Sequence, residues 1–313
     1  MNLRTLLATM LLAGVAVTSS PEAGGASVPF NGLVSRSTTD IVGDASSSSA
    51  DLSGDGRVVV FDSLANNLVP DVATPHRQVF VREVGLGTTS LVSRSPEGSP
   101  ANGQSTSASI SGDGRFVAFE SRATNLVDFR GEDDNRADDT FIHDTVTGQT
   151  EVVLSPAATV GNRPSFNPRI SGDGRFVGFE SDADNLIFDD ETGGDENETR
   201  DVFVYDRTTS QVRRVSVSSD GVAGKGPSSD PEISADGRFV VFESRASNLV
   251  PGDTNAFSDH TDVFLHDLQL GTTVRVSVGA DGRQASGSSE FPHLSADGRY
   301  VVFGSSASNL VDG

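Results

Sequence analysis

The apolar residues of this sequence fall in short runs that are separated by turns rich in Gly, Asp, Asn and Ser. One run recurs with its turn: Leu or Ile, then Ser, then Gly or Ala, then Asp-Gly-Arg and a second apolar run. The turn aspartates of the five copies are Asp55, Asp113, Asp173, Asp236 and Asp297. A period of about 60 residues over nearly the whole chain indicates a repeat architecture.

Each copy predicts four short β-strands, which we call a to d in chain order. The Asp-Gly pair joins strands a and b in a tight hairpin. Strand b, such as residues 239–242, and strand c, such as residues 263–265, are apolar at successive positions, so both of their faces must be covered. Strand d, such as residues 274–278, alternates between Val and polar residues, which predicts one wet face.

Strand a contains Pro168, Pro231 and Pro292 in three of the copies. Proline cannot donate a ladder hydrogen bond, so strand a is predicted to be an edge strand. An edge strand a, buried strands b and c and a half-wet strand d are typical of a β-propeller blade, whose inner edge lines a central channel. The fold class is therefore all-β, a propeller of four-stranded blades; a β-solenoid, the alternative, has shorter repeats.

The Ile-Ser-x-Asp-Gly-Arg-Phe-Val-x-Phe element resembles the WD-like (PD40) repeat of TolB-type β-propellers, over about residues 31–313. Gly or Ala stands here where that family usually has Pro before Asp-Gly. The resemblance implies a six-bladed propeller. It does not imply one activity, because such repeats occur in binding proteins and in enzyme-associated domains.

The repeat units predict about five sectors, the last of them incomplete. Complete units lie near residues 46–95, 105–155, 165–218 and 228–278, and a partial unit covers 288–313. Residues 31–37 match a lone strand d. Two alternatives stay open: this strand completes the last blade and closes a five-bladed ring, or the chain is part of a longer protein.

The N-terminus has the three parts of a secretory signal peptide. A basic start at Arg4 precedes an apolar run over residues 6–17, and small residues follow. We expect a signal peptide over residues 1–26, a propeller over 27–313 and a secreted or periplasmic protein. The alternative, a membrane anchor, would need about 20 apolar residues.

The charge and the cysteine count exclude several classes of function. The chain has 23 Lys and Arg against 44 Asp and Glu, a net charge of −21. Non-specific binding to nucleic acid or to anionic membranes relies on basic surface and is excluded. The chain has no Cys, which excludes disulfides, thiolate zinc sites and a cysteine nucleophile.

The loop between strands b and c carries Asp-x-Asn, with a further Asp six residues after the first. The three copies are Asp133, Asn135 and Asp139; Asp195, Asn197 and Asp201; and Asp253, Asn255 and Asp259. Carboxylate and amide oxygens suit Ca²⁺, so we predict weak calcium binding in these loops. The alternative is a solvated acidic loop whose Asp and Asn side chains make turn hydrogen bonds.

The arginine after each Asp-Gly turn is the second candidate binding group. The set is Arg115, Arg175, Arg238 and Arg299. These side chains are predicted to rim the channel mouth and to bind an anionic or polar partner. The alternative is structural: the Asp makes the turn and the Arg forms a local ion pair.

No catalytic residue is predicted, because the sequence has no zinc-protease, serine-hydrolase or phosphate-loop motif. Near-identical repeats favour a non-enzymatic binding or scaffold module, a monomer, for a protein, peptide or glycan. The first alternative is an extracellular hydrolase or lyase that uses channel carboxylates as acid and base on a polymer. The second is a truncated part of a larger surface protein.

Overall fold

The computed structural model describes residues 16–18, 31–128, 137–155, 159–187, 199–253 and 260–311. Within these ranges the secondary structure consists of β-strands and turns, and no helix has the length and apolarity to cross a membrane. The predicted signal peptide falls mostly outside them. Its described part is β1 (Ala16–Thr18), which pairs with β2 (Asn31–Leu33).

Four four-stranded antiparallel sheets follow, and each corresponds to one predicted repeat unit. Sheet 1 contains β3 (Ser47–Leu52), β4 (Val58–Ser63), β5 (Gln78–Glu83) and β6 (Thr88–Leu91). Sheet 2 contains β7 (Ser105–Ile110), β8 (Phe116–Ser121), β9 (Asp139–Asp144) and β10 (Thr150–Val152). Sheet 3 contains β11 (Ser165–Ile170), β12 (Phe176–Ser181), β13 (Asp201–Asp206) and β14 (Gln211–Arg214). Sheet 4 contains β15 (Ser228–Ile233), β16 (Phe239–Ser244), β17 (Asp262–Asp267) and β18 (Thr272–Arg275). A fifth sheet has two strands, β19 (Ser289–Leu294) and β20 (Val301–Ser305).

The strand order confirms the predicted blades. In every four-stranded sheet the order is a-b-c-d, with strand a at one edge, as the prolines of strand a predicted. The inner strands of successive sheets also pack together: β7 contacts β3, β11 contacts β7, β15 contacts β11 and β19 contacts β15. The molecule is therefore a β-propeller of about five blades, whose strands a face a shared centre.

Each complete blade is held by one stacked pair of phenylalanines. The Phe of strand b faces the Phe of strand c with ring centroids 5.7 to 5.9 Å apart. Both rings of each pair are fully buried, and offset aromatic stacking adds to the burial energy. The pairs are Phe61 with Phe80, Phe119 with Phe141, Phe179 with Phe203, and Phe242 with Phe264. Both faces of strands b and c are buried, which explains why these strands lack polar alternation.

The Asn of the repeated Asn-Leu element ties each blade to the segment that leads into it. Asn125 Oδ1 accepts a hydrogen bond from the backbone N–H of Asn102, and its Nδ2 donates to the Pro100 carbonyl. Asn67, Asn248 and Asn309 repeat both bonds at the same separations. The amide thus bridges chain segments 23 and 25 residues apart.

Strand d alternates as predicted, but its polar side faces inward in blade 4. Val274 and Val278 are exposed, whereas Ser277 is fully buried. The Arg275 side chain, 7% exposed, lies 3.0 Å from Asp253 and 3.5 Å from Asp262. These ion pairs compensate the charge of a buried guanidinium, which a hydropathy pattern alone does not reveal.

The fifth blade differs from the others in its coverage. Among the described residues β20 pairs with β19, and β2 pairs with β1 rather than with the last blade. The closure considered from the sequence, with residues 31–37 completing the last blade, is therefore not formed. Phe291, Tyr300 and Val302 of this blade are more than half exposed.

Candidate ligand site in the central channel

Every strand a carries a β-bulge at the same place. The register of the a–b pairing shifts there in all five blades, and the third strand residue has a positive φ. Bulges re-aim side chains and are common beside functional sites. The five residues are Ser49, Ser107, Asn167, Asp230 and Phe291, with φ between 48° and 56°.

The fifth residue of strand a faces the channel and differs in every blade. The series is Asp51, Ser109, Arg169, Glu232 and His293. All five line one cavity of about 590 Å³, to which each blade contributes. The shared residues of the repeat therefore build the blades, and this variable position supplies the chemistry of the channel.

Several of these side chains also bridge neighbouring blades. The Asp51 carboxylate accepts the backbone N–H of Ile110 at 2.9 Å. Ser109 Oγ accepts the N–H of Ile170 at 3.0 Å, and Glu232 Oε2 accepts that of Leu294 at 3.1 Å. Burial raises the pKa of Asp51, and the hydrogen bonds from the backbone N–H groups of Ile110 and Leu52 oppose this effect. The channel wall thus contains a carboxyl group that protonates more readily than usual.

Blades 3 to 5 bring three titratable or charged side chains together. His293 Nδ1 lies 2.9 Å from Glu232 Oε1, and Arg169 Nε lies 4.0 Å from the same oxygen. His293 is well exposed, with 69% of its side chain accessible, and Glu232 is partly exposed at 24%. This arrangement offers a ligand both hydrogen-bond donors and carboxylate acceptors.

A second layer of carboxylates comes from strand b. Glu120, Glu180 and Glu243 each accept the backbone N–H of the bulge residue in the next blade, at 2.9, 2.8 and 3.1 Å. Burial raises the pKa of Glu180 and of Glu243. These groups fix the bulge geometry, and they add negative charge beside the channel.

The hairpin turns of adjacent blades are linked by backbone hydrogen bonds. Gly54 N–H donates to Gly112 O at 2.9 Å, Gly112 N–H to Gly172 O at 2.8 Å, and Ala235 N–H to Ala296 O at 2.9 Å. These residues occupy the position where the TolB-type repeat usually has proline. A proline there could not donate, so Gly or Ala makes this inter-blade contact possible.

The predicted arginines pair within their own blades. Arg115 forms a bidentate pair with Asp144 at the end of strand c, with Nε–Oδ1 3.1 Å and Nη2–Oδ2 2.7 Å. Arg175 and Arg238 repeat this pair with Asp206 and Asp267.

In each case the Arg hydrogen bond is the main reason why the pKa of the Asp is lowered. Arg299, in the two-stranded blade, has Asp297 at 4.0 Å. The four arginines are not among the residues that line the channel cavity. Each has an Asp of its own blade as its ion-pair partner.

The predicted calcium loops are described only in part. Asp133, Asn135, Asp195, Asn197, Asn255 and Asp259 lie outside the described residues. Asp139 and Asp201 begin β9 and β13 and are buried. Asp262 begins β17 at the equivalent position, three residues after Asp259.

Protein donors hold two of these aspartates. Ser216 Oγ donates to Asp201 at 2.6 Å, and Arg275 Nη2 lies 3.0 Å from Asp253. Within the described ranges no group of three or more His, Asp or Glu could hold a metal ion. Calcium binding stays a prediction.

Solved structures of other proteins share this arrangement of blades. TolB from Acinetobacter baumannii superposes with a TM-score of 0.50 at 17% identity, over 87% of this chain and 50% of that one. A putative TolB from Agrobacterium tumefaciens gives 0.51 at 17% identity, over 86% of this chain and 73% of that one. The fold is that of a TolB-like β-propeller.

An oligogalacturonate lyase in complex with manganese has a TM-score of 0.50 at 13% identity, over 86% of this chain and 59% of that one. This chain thus spans half of the Acinetobacter TolB and less than two thirds of the lyase. No protein-family model and no curated protein sequence matches the chain. At these identities the likeness concerns the fold alone.

Sequence reasoning missed the channel site because it followed what the repeats share. The five copies differ at the residue directly before the Ile-Ser or Leu-Ser pair, at Asp51, Ser109, Arg169, Glu232 and His293. A comparison of the five copies at each position would have identified this variable residue. The strand period then places that residue on the opposite face of the edge strand from the Ile or Leu that follows it.

Proposed function

We propose that the protein is an exported binding module whose central channel takes an extended peptide segment of a partner protein. The carrying observation is the 590 Å³ cavity, lined at one equivalent position by five different side chains, four of them able to carry charge. Export is inferred from the N-terminal signal-peptide pattern.

A peptide suits this cavity because its backbone needs both donors and acceptors. Arg169 and Asn167 supply donors, and Asp51 and Glu232 supply acceptors, all in the lining of one cavity. Ligand sites typically combine a concave shape with a few polar groups that fix orientation. A glycan is the competing ligand class and is an outcome of the same test.

The test uses the full chain against a displayed random-peptide library and a glycan array, followed by calorimetry with the best binders. We expect peptide binding that Arg169→Gln and Asp51→Asn weaken. The matched control is Arg57→Gln, since Arg57 is 84% exposed and lies outside the cavity lining. Selection of glycans alone, or peptide binding that neither channel variant changes, would refute the proposal.

A second candidate function is an extracellular hydrolase or lyase acting on a polymer. It is favoured by the His293–Glu232 pair, in which a carboxylate 2.9 Å from an imidazole forms a possible acid–base unit beside Arg169. The fold is shared with an oligogalacturonate lyase, although that likeness concerns the fold alone. Turnover of polysaccharides or peptides that disappears in His293→Asn would support this function over simple binding.

A further inference from the structure

Phe291 occupies a backbone position that does not suit an aromatic residue. It is the bulge residue of β19 and has φ = 56°, where bulky side chains are outliers. The other blades have Ser49, Ser107, Asn167 or Asp230 at this position. The left-handed conformation is strained for a residue with a Cβ, and Asn and Asp adopt it more readily than Phe. The bulge therefore does not require a phenylalanine.

The ring is not placed there to fill the core. Phe291 is 66% exposed, whereas the neighbouring Pro292 is buried. Its side chain borders a recess of about 190 Å³ that Pro231 and Pro292 also line. An exposed aromatic ring beside two prolines gives this recess an apolar wall.

The recess opens beside the channel cavity, and the two share four lining residues, Asn167, Arg169, Glu232 and His293. A peptide lying in the channel could therefore place one side chain in the recess. The remaining polar lining is Asp230, which is partly buried. The recess is thus bounded by an aromatic ring, by the carboxylates of Asp230 and Glu232 and by Arg169, so its lining holds two carboxylates against one guanidinium.

Charge complementarity identifies the occupant. The face of an aromatic ring attracts cations, and a carboxylate near the same space does so as well. Glu232 Oε1 lies 2.9 Å from His293 Nδ1 and Oε2 accepts the Leu294 N–H, so each oxygen retains a second lone pair for a ligand. The whole chain carries −21 and steers cationic ligands towards itself.

We propose that the recess formed by Phe291, Pro231, Pro292, Asp230 and Glu232 binds a cationic side chain, Arg or Lys, of the peptide in the channel. This inference rests on the proposed function and adds which side chain of the peptide the site selects. The cation lies over the Phe291 ring, and its N–H groups donate to Asp230 and Glu232.

Phe291→Asn separates a binding role from a structural one. Asn tolerates positive φ, as Asn167 does at the same position of blade 3, so the variant is expected to be at least as stable as the parent. Its affinity for a cationic probe should fall about two- to fivefold, the effect of losing an exposed cation–π contact. The control is Leu270→Asn, since Leu270 is also 66% exposed and lies in the turn after β17.

The probes are Nα-acetyl-arginine methylamide and its uncharged citrulline analogue, titrated into the ¹⁵N-labelled full chain by NMR. We expect the arginine probe to shift amide signals around residues 230–232 and 291–293, and to bind more weakly to Phe291→Asn and to Glu232→Gln. This result supports the recess even if no library peptide binds, an outcome that would refute only the proposed function. Equal binding of both probes, or unchanged binding to Phe291→Asn, overturns the inference even if peptides still occupy the channel.

Discussion

The burial of His143 predicts an acid-sensitive fold. His143 lies in β9, is 3% exposed and has its Nδ1 2.9 Å from Thr150 Oγ1. Burial is the main cause that lowers its pKa from 6.5 to about 4; Arg94 adds to this effect and Asp144 opposes it. Between pH 6.5 and pH 4 the unfolded chain therefore binds a proton at His143 that the folded state does not bind.

The sign and size of the pH effect on the free energy of unfolding follow from the linkage between proton binding and folding. Because the folded pKa is depressed, the stability is fully present above pH 6.5 and is lost as the pH falls towards 4. At 1.36 kcal/mol for each pH unit between the two values, the free energy of unfolding should fall by about 2 kcal/mol between pH 7 and pH 5. By pH 4 the loss should reach about 3 kcal/mol.

The matched variant is His143→Tyr. Tyr205 occupies the equivalent position of β13 and is itself buried, so the blade accommodates this side chain. Tyrosine does not titrate between pH 4 and 7. Carboxyls with raised pKa values, such as Asp51 and Glu180, stabilise the folded state as the pH falls. Both proteins contain these groups, so their contribution cancels in the comparison.

The measurement is urea unfolding followed by circular dichroism at pH 7, 6, 5 and 4 for both proteins. We expect the stability of the parent to fall relative to that of His143→Tyr by the amounts given above. A difference between the two proteins that stays constant over this range would refute the argument. It would show that His143 titrates with an ordinary pKa in the folded state.

Two further predictions concern the hairpin turns and the loops. Gly112→Ala should lower the free energy of unfolding by about 1–3 kcal/mol, because the added Cβ would stand 2.9 Å from the Gly172 carbonyl oxygen. Gly85→Ala, whose Cβ meets no atom within 4 Å, is the control, and equal melting temperatures would contradict the reasoning. Calcium binding by the b–c loops should give calorimetric heat and a thermal shift at millimolar Ca²⁺, reduced in Asp133→Ala, a change that leaves the Asp253–Arg275 pair intact. Absence of both signals in the parent protein would refute it.

The blades could be predicted from the sequence because local rules and the repeat agree. Asp-Gly marks the a–b hairpin, and Pro168 and Pro231 mark strand a as the edge. The structure has the hairpin and the edge at these places. A period seen five times also averages out local ambiguity in strand bounds.

The side-chain partners could not be predicted in the same way. Arg275 was expected on a wet face, but it is buried because Asp253 and Asp262 lie beside it. The Asn125 amide bonds to a segment 23 and 25 residues away, which no local rule supplies. Such contacts depend on which segments the fold brings together, and alternation in one strand carries no information about that.

The channel lining separates the residues that the repeat copies share from those in which they differ. A residue that recurs in all five blades, such as the turn aspartate, accepts the hydroxyl of the Ser two residues before it in every blade, for example Asp113 with Ser111. It therefore serves the hairpin in each copy. At the fifth position of strand a the backbone is the same in each blade, yet the side chains range from Asp51 to Arg169 and His293. Since the fold tolerates all of them, the fold does not select among them, and their joint placement around one cavity is what a ligand would recognise.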